Sequence, residues 1–382
     1  MFSVAPRLMA VAVLWPAVRL GTSSTTIANH VFSSDLGTPL WPPLYAAFAW
    51  LAWHLSFGWA PGFVLLHVAA QSLLGPAVFV LAERLGLSRR EGWIAVAGCA
   101  VLPYFVGTSV RSLDVGITIA VAAIGAAALA RPRLAAGPAS AAWVLTRAEA
   151  LPLVIVLWIG AALTARGTGE RRWMGGAAVF VAILGAWSAA NFVRFGRLTP
   201  LPANAGANFY IGNRDGVEAS LASRSFNPAS EPSRPDAATA AVTGAYAQDA
   251  ALGRLAWRGL VANPARVPAL VWLKFQRYWD WDLGTVPSHS RAERVAYTVP
   301  YVTLLCLLPL GAARLWRTER RSALLFLCLV IAGQMLPYLA VFGLIRMRMT
   351  VEWALILLGA SAVGGLRWSP PHAVRSATRL AS

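Results

Sequence analysis

The stretch Leu145-Thr146-Arg147-Ala148-Glu149-Ala150-Leu151 interrupts an apolar run that otherwise extends from Leu134 to Ala165. One unbroken helix would carry the arginines at its two ends, Arg131 with Arg133 and Arg166 with Arg171 and Arg172, to opposite sides of a membrane. Short loops rich in arginine stay cytoplasmic, so a hairpin is expected, with Arg147 and Glu149 near its outer tip. The first arm, Ala135 to Thr146, is only ~18 Å long at helical rise, which draws the charged tip below the membrane surface. A charge held there costs ~2.5 to 3.5 kcal/mol, so the two residues need partners or a watery cavity. A mutual salt bridge that merely joins two helices is one answer.

The same rule orders the rest of the chain. Of 382 residues, 57% are hydrophobic and 13% charged. Apolar runs recur at lengths suited to a hydrocarbon core of ~30 Å, which excludes a soluble globular domain and points to an all-α polytopic membrane protein. The net charge of +17 is spread as arginines among membrane segments, so it reports topology and not nucleic-acid binding. Arg84 with Arg89 and Arg90, Arg314 with Arg317, Arg320 and Arg321, and the tail with Arg367, Arg375 and Arg379 join the cytoplasmic set. Spans are then expected near 7–20, 61–83, 92–110, 114–130, 135–147, 150–165, 173–192, 297–313, 322–343 and 350–366, about ten in all, with both termini cytoplasmic. The apolar stretch Leu8 to Leu20 reads as a first span and not a cleaved signal peptide. Residues 1–192 form an N-terminal membrane region, 193–296 a long extracytoplasmic loop with amphipathic helices, and 297–382 a C-terminal membrane region and tail.

The segment from Pro42 to Trp59 is apolar enough to span, yet counting it would put Arg84, Arg89 and Arg90 outside. It is expected to lie along the outer interface, where Trp41, Tyr45, Trp50, Trp53 and Trp59 suit an aromatic belt. Cys99, Cys306 and Cys328 are too scattered for a disulfide framework or a metal motif and read as buried hydrophobes. Among the histidines, His30 lies in the first outer loop, while His54 and His67 sit on apolar helices and are expected to be satisfied by neighbours. The run Trp279-Asp280-Trp281-Asp282 reads as an interfacial anchor, because its two carboxylates do not converge well on a cation. No resident cofactor is called for, and a divalent metal stays an open option.

Charge collects on the outer side, where the topology rule gives it no reason to be. Asp114 stands beside Arg111 at the start of its helix, a position that also suits an acid on dipole grounds alone. Arg348 and Glu352 are four apart, arginine first, the weaker order for such a pair, which leaves positive charge over at Arg346-Met347-Arg348. Residues 244–281 read as two helices broken at Pro264. In the second, Lys274, the single lysine of the chain, shares a face with Arg277 beside Trp272, Tyr278 and Trp279. The middle of the loop, Asp215 to Asp249, is rich in Ala, Ser and Pro and is expected to be a flexible lid or linker. A lipid with a phosphate between its polyprenyl tail and a sugar fits this pattern, the phosphate against Lys274, Arg277, Arg346 and Arg348.

The chain resembles the bacterial GT-C glycosyltransferases of the dolichyl-phosphate-mannose protein mannosyltransferase type, the class that includes the lipid A aminoarabinose transferases. The resemblance covers nearly the whole chain. It rests on Trp41-Pro42-Pro43-Leu44-Tyr45, on Leu145 to Leu151, and on Asn191-Phe192-Val193-Arg194-Phe195-Gly196-Arg197 leading to Asn208-Phe209-Tyr210-Ile211-Gly212-Asn213. It continues through Asn263-Pro264 to Lys274 and through Arg346-Met347-Arg348-Met349. It implies a GT-C-like fold in the bacterial cytoplasmic membrane, with the site facing the periplasm or cell exterior. The implied donor is a polyprenyl-phosphate sugar, and the acceptor a glycan, lipid or protein. Asp114 matches the family's acid at the start of the fourth span. Arg147, Glu149, Asn208, Tyr210, Asn213, Lys274, Arg277, Arg346 and Arg348 are the expected substrate-binding set.

The sequence departs from the family at its first acid. Gly21 to Phe32 holds none, and Thr22-Ser23-Ser24-Thr25-Thr26 occupies the expected place. Asp35 is the candidate base in that loop; otherwise the true start lies upstream or catalysis is lost. A transporter or flippase of lipid-linked sugars and a noncatalytic relative are therefore the competing readings. Against transport, no repeat relates the two halves, and the charges cluster at the outer edge instead of the midplane.

Overall fold

The computed structural model describes residues 42–111, 113–164, 172–223, 242–281 and 291–365. The expected span at 7–20, His30, Asp35 and Trp41 lie outside these residues, as do the side chains of 109–114, Asp114 included, and of 292–293. The described elements are helical, and no strand occurs among them.

Pro43 opens α1 (Pro43–Leu55), where its fixed φ suits a first helical turn. α2 (Ala60–Ser72) and α3 (Leu74–Arg84) run through Leu73 as one apolar rod. A capping box opens α4 (Arg89–Val101): the Glu91 N–H donates to the Ser88 hydroxyl, and the Ser88 N–H donates to the Glu91 carboxylate. Leu102 is extended because a proline follows it, so the helix breaks and resumes as α5 (Pro103–Arg111). After α6 (Leu113–Ala130), the hairpin expected across Arg147 is present. It consists of α7 (Ala136–Thr146), a 3-10 turn at Ala148–Ala150 and α8 (Leu151–Thr164), with Arg147 extended at φ −150° and ψ 102°. Midway along it, the Trp158 indole donates to the Ser140 hydroxyl at 3.3 Å.

The long α9 (Arg172–Phe195) ends at Gly196, which takes a φ of 65° that a side chain would resist. Beyond it the loop builds α10 (Ala205–Asn213), α11 (Val217–Ala222), α12 (Ala245–Ala262) and α13 (Arg266–Tyr278), the last two separated at Pro264 as expected. α14 (Arg291–Arg317), α15 (Arg321–Ala340), the short α16 (Ile345–Arg348), a 3-10 turn at Met349–Val351 and α17 (Glu352–Gly364) complete the described chain. Five stretches are long and apolar enough to cross a membrane: Ala60–Arg84, Arg172–Phe195, Arg294–Arg317, Arg321–Ala340 and Ile345–Gly364. Val115–Ala130 and Ala148–Thr164 are apolar but shorter. By length and composition the described residues thus supply five of the expected spans.

The arginine-rich turns meet at one end of the bundle. Glu91 is fully buried and pairs with both Arg314 and Arg320, the latter at 3.0 Å, while Arg314 also donates to the Ser361 carbonyl. Arg84 donates to the Ala127 carbonyl at 2.5 Å and lies near enough to Arg131 and Arg133 to feel their charge. A side chain at Gly176, early in α9, would strike the Arg133 carbonyl. Residues distant in sequence, grouped earlier by charge alone, are therefore neighbours in space.

α17 is the axis of the bundle. It packs against α4, α14 and α15, and Glu352 to Ser361 are all buried. In an 18-residue window of Ile345–Gly364, 83% of the residues are buried, against 22% for Arg172–Phe195, so the first is central and the second peripheral. Outward faces carry Ile159, Leu163, Val181, Leu310, Leu325 and Leu336, all exposed.

Several expectations need correcting. Only Cys99 is buried; Cys306 and Cys328 lie on outward helix faces. Tyr45 leaves the aromatic belt, because its ring packs edge-on against His67, whereas Trp50 and Trp59 are exposed. The ends of the Asp215–Asp249 stretch are ordered. Val217 and Leu221 are fully buried, and Arg266 binds Asp215 at 2.5 Å and Glu218 at 2.7 Å. Residues 224–241 lie outside the described set.

Candidate functional site

Helix directions carry the start of α6, the Arg147–Glu149 tip, the turn before α16 and the loop helices α10 to α13 to the end opposite the arginine-rich turns. α10 is fixed there by close approach. A Cβ at Gly212 would collide with the Val341 carbonyl, and one at Gly343 with the Lys274 carbonyl, so glycine alone lets α10, α13 and the end of α15 touch. The Asp249 carboxylate accepts from the Ala207 N–H at 2.8 Å and ties α10 to α12.

Lys274 is at the centre of this junction and is 1% exposed. Its ammonium donates to Asn213 Oδ1 at 2.8 Å and to the Ala340 carbonyl at 3.1 Å, while Asn213 Nδ2 donates to the same carbonyl at 2.9 Å. Burial pushes the Lys274 amine down to about 7, and repulsion from Arg266 adds to the shift while Glu218 opposes it. Arg277, on the same helix, donates to the Leu221 carbonyl at 2.6 Å and pairs with Asp280 at 2.9 Å. Both cations thus have protein partners. Asn208 and Tyr210 are half-buried on α10.

Arg348 is wholly buried and makes four hydrogen bonds. Nε donates to Glu352 at 3.1 Å, Nη1 to the Tyr278 carbonyl at 2.6 Å and the Asp280 carbonyl at 3.0 Å, and Nη2 to the Tyr297 hydroxyl. Its guanidinium also sits 3.9 Å above the Tyr301 ring. The carbonyls at Tyr278 and Asp280 close α13, so Arg348 serves as that helix's C-terminal cation and joins it to α14 and α17. The expected Arg348–Glu352 pair forms, in spite of its order in sequence, with both groups fully buried.

The remaining charges stay nearer the surface. Arg147 and Glu149 stand 3.9 Å apart at the hairpin tip. Arg346 is exposed and forms no ion pair with a described residue. The charges of Glu149, Arg147 and Arg346 all act on Tyr338, and that of Arg346 on Tyr104, so tip and turn face one small region. Gln334 and Tyr338, one turn apart on α15, are buried there with the Gln334 amide and the Tyr338 hydroxyl lacking hydrogen-bond partners of normal geometry. Sequence reasoning missed Gln334, Tyr338, Tyr104, Tyr297 and Tyr301. The spacing of Tyr297 and Tyr301 on an apolar span was the available signal.

Of the expected set, Arg147, Glu149 and Arg346 come together, while Asn213 and Lys274 form a separate buried pair. Asp114 is at the start of α6, at the same end. Among the described residues no group of three or more His, Cys, Asp or Glu is placed to hold a metal ion. His54 and His67 each bond through Nδ1 to a carbonyl one turn back, at Trp50 and Phe63. No protein-family model, no curated protein and no solved structure matches the chain.

Proposed function

We propose that this protein is a multi-pass membrane glycosyltransferase of GT-C type, moving a sugar from a polyprenyl-phosphate donor to an acceptor hydroxyl on the outer side of the bacterial cytoplasmic membrane. The observation that carries the reading is the separation of charge. Arginine-rich turns gather at one end of the bundle, and the Arg147–Glu149 tip, the exposed Arg346 and the start of the Asp114 helix share the other. The ten-span topology belongs to the same proposal, with α6, both hairpin arms α7 and α8, the broken pair α4 and α5, and the segment 7–20 as the five additional crossings.

In this reaction a carboxylate takes the acceptor proton as the acceptor oxygen attacks the anomeric carbon. The bond from that carbon to the phosphate oxygen breaks, and polyprenyl phosphate leaves with the electron pair. Arg346 is the cation best exposed to stabilise that leaving charge, since Lys274 and Arg348 are sealed among protein acceptors. Asp35 and Asp114 are the proposed acids. Lys274, Arg348 and Asn213 then position the site, and Asn208 and Tyr210 stand on its rim helix.

A radiolabelled transfer assay with purified protein and a panel of polyprenyl-phosphate sugars tests the proposal directly. The lack of an acid from Gly21 to Phe32 favours a second reading, a noncatalytic relative that binds the same lipid. Donor binding without transfer would select it. Absence of both binding and transfer across the panel would refute the first reading.

A further inference from the structure

The first turns of α14 carry a feature that the proposed reaction does not use. A groove of about 330 Å³ runs along Arg291, Arg294, Val295, Thr298 and Val299. Arg291 is exposed, and Arg294 is half-buried, its Nε shielded from solvent with no hydrogen-bond partner. The Thr298 hydroxyl donates to the Trp281 carbonyl at 3.0 Å, which sets the exposed Trp281 at the rim. Val295, Val299 and Val302 continue the line outward from the bundle, all exposed.

The two ends of α14 fix the depth of this groove. Arg314 and Arg317 belong to the arginine-rich end, so Arg291 and Arg294 lie at the other, where positive charge has no topological cause. Two guanidinium groups above a row of exposed valines, beside an interfacial tryptophan, match an anionic amphiphile in both halves. The forked donors suit phosphate oxygens, and the valines suit an acyl chain. Tyr297 and Tyr301 face inward from the same helix to Arg348, so the groove occupies a different face from the buried network.

We infer that this groove binds an anionic phospholipid of the leaflet at that end, its phosphate held by Arg291 and Arg294 and one acyl chain laid along Val295, Val299 and Val302. The assignment does not depend on glycosyl transfer and would hold for a noncatalytic protein.

The test is thermal unfolding of the purified full chain in a mild detergent, titrated separately with phosphatidylglycerol, phosphatidylcholine and inorganic phosphate. Phosphatidylglycerol is expected to raise the midpoint in a concentration-dependent way, and the other two are not. The Arg291→Gln/Arg294→Gln variant is expected to need about tenfold more phosphatidylglycerol for the same shift. Arg254→Gln/Arg258→Gln, which removes equal charge from exposed positions on α12, is expected to respond like the parent. Val299→Trp keeps the arginines but fills the groove, and should lose the response as the double variant does. The inference is overturned by an absent shift in the parent, an equal shift with phosphatidylcholine or with inorganic phosphate, or a response retained in both groove variants. A loss shared by the α12 variant would also overturn it, as a bulk effect of charge.

Discussion

Arg348 and Glu352 face each other one turn apart, Nε to Oε1 at 3.1 Å, with both side chains fully buried. Such a pair stabilises little relative to apolar residues of the same shape, yet losing one partner strands the other charge. Glu352→Ala or Arg348→Ala should each cost ~3 to 5 kcal/mol of unfolding free energy in detergent. The Arg348→Met/Glu352→Leu double variant should lie closer to the parent than either single variant. Simple addition of the two single losses would show that the residues act independently.

Lys274 predicts a pH dependence of stability. Its amine titrates at about 7 in the folded protein and at 10.5 ordinarily. Below 7 both states carry the proton and the burial cost is fully present. From about 7 to 10.5 the unfolded chain holds a proton that the folded chain has lost, so stability rises with pH across that window. Lys274→Met should flatten this rise, measured as unfolding midpoints between pH 6 and 9.5. An unchanged slope would mean that the ammonium is better solvated than its contacts imply.

Arg346 is an exposed cation whose charge, like those of Arg147 and Glu149, reaches Tyr338, whereas Arg277 is engaged with Asp280 and Leu221. Arg346→Gln should weaken binding of a polyprenyl-phosphate donor by about tenfold or more, the worth of a charge-assisted hydrogen bond. Arg277→Gln should weaken it less. Equilibrium binding of labelled donor to the purified variants distinguishes the two, and the reverse ranking would return the phosphate to the loop helix.

If a carboxylate is the base, Asp35→Asn should reduce turnover by ~10² to 10⁴ while donor capture survives. Asp114→Asn should also impair turnover. The amide is nearly isosteric, so folding should persist in both. Full turnover in Asp35→Asn would pass the role to Asp114.

Cysteine labelling checks the topology. Cysteines placed at Ser220 in α11 and at Thr318 between α14 and α15 should react with an impermeant maleimide from opposite sides of sealed vesicles. The native Cys306 and Cys328, on outward faces of apolar helices, should stay unlabelled. Reaction of both introduced cysteines from one side would break the arrangement.

Much of the architecture could be read from the sequence because its determinants are local. Prolines and charged interruptions stop helices where they occur, so the hairpin at Arg147 and the break at Pro264 fell close to the observed bounds. Arginine counting grouped turns that are neighbours in space, because it asks only which of two ends a charge occupies. The same counting failed to tell a solvated cation from a sealed one. Lys274 finds Asn213 across 61 residues, Arg348 finds Tyr278 across 70, and Glu91 finds Arg314 across 223. Pairings at such separations leave no trace in spacing or periodicity. Arg346 and Arg348, two residues apart and chemically alike, therefore ended in opposite environments.

The position of α17 sets an order of events during synthesis. The helix at the axis of the bundle is the last described helix to leave the ribosome, so α4, α14 and α15 are made before the surface they share exists. Until then the tyrosines of α14 wait for Arg348, which arrives just ahead of α17. A chain cut before Ile345 would keep most of its spans and lack the piece on which they converge. The helix on which these elements converge is thus made after the helices it unites.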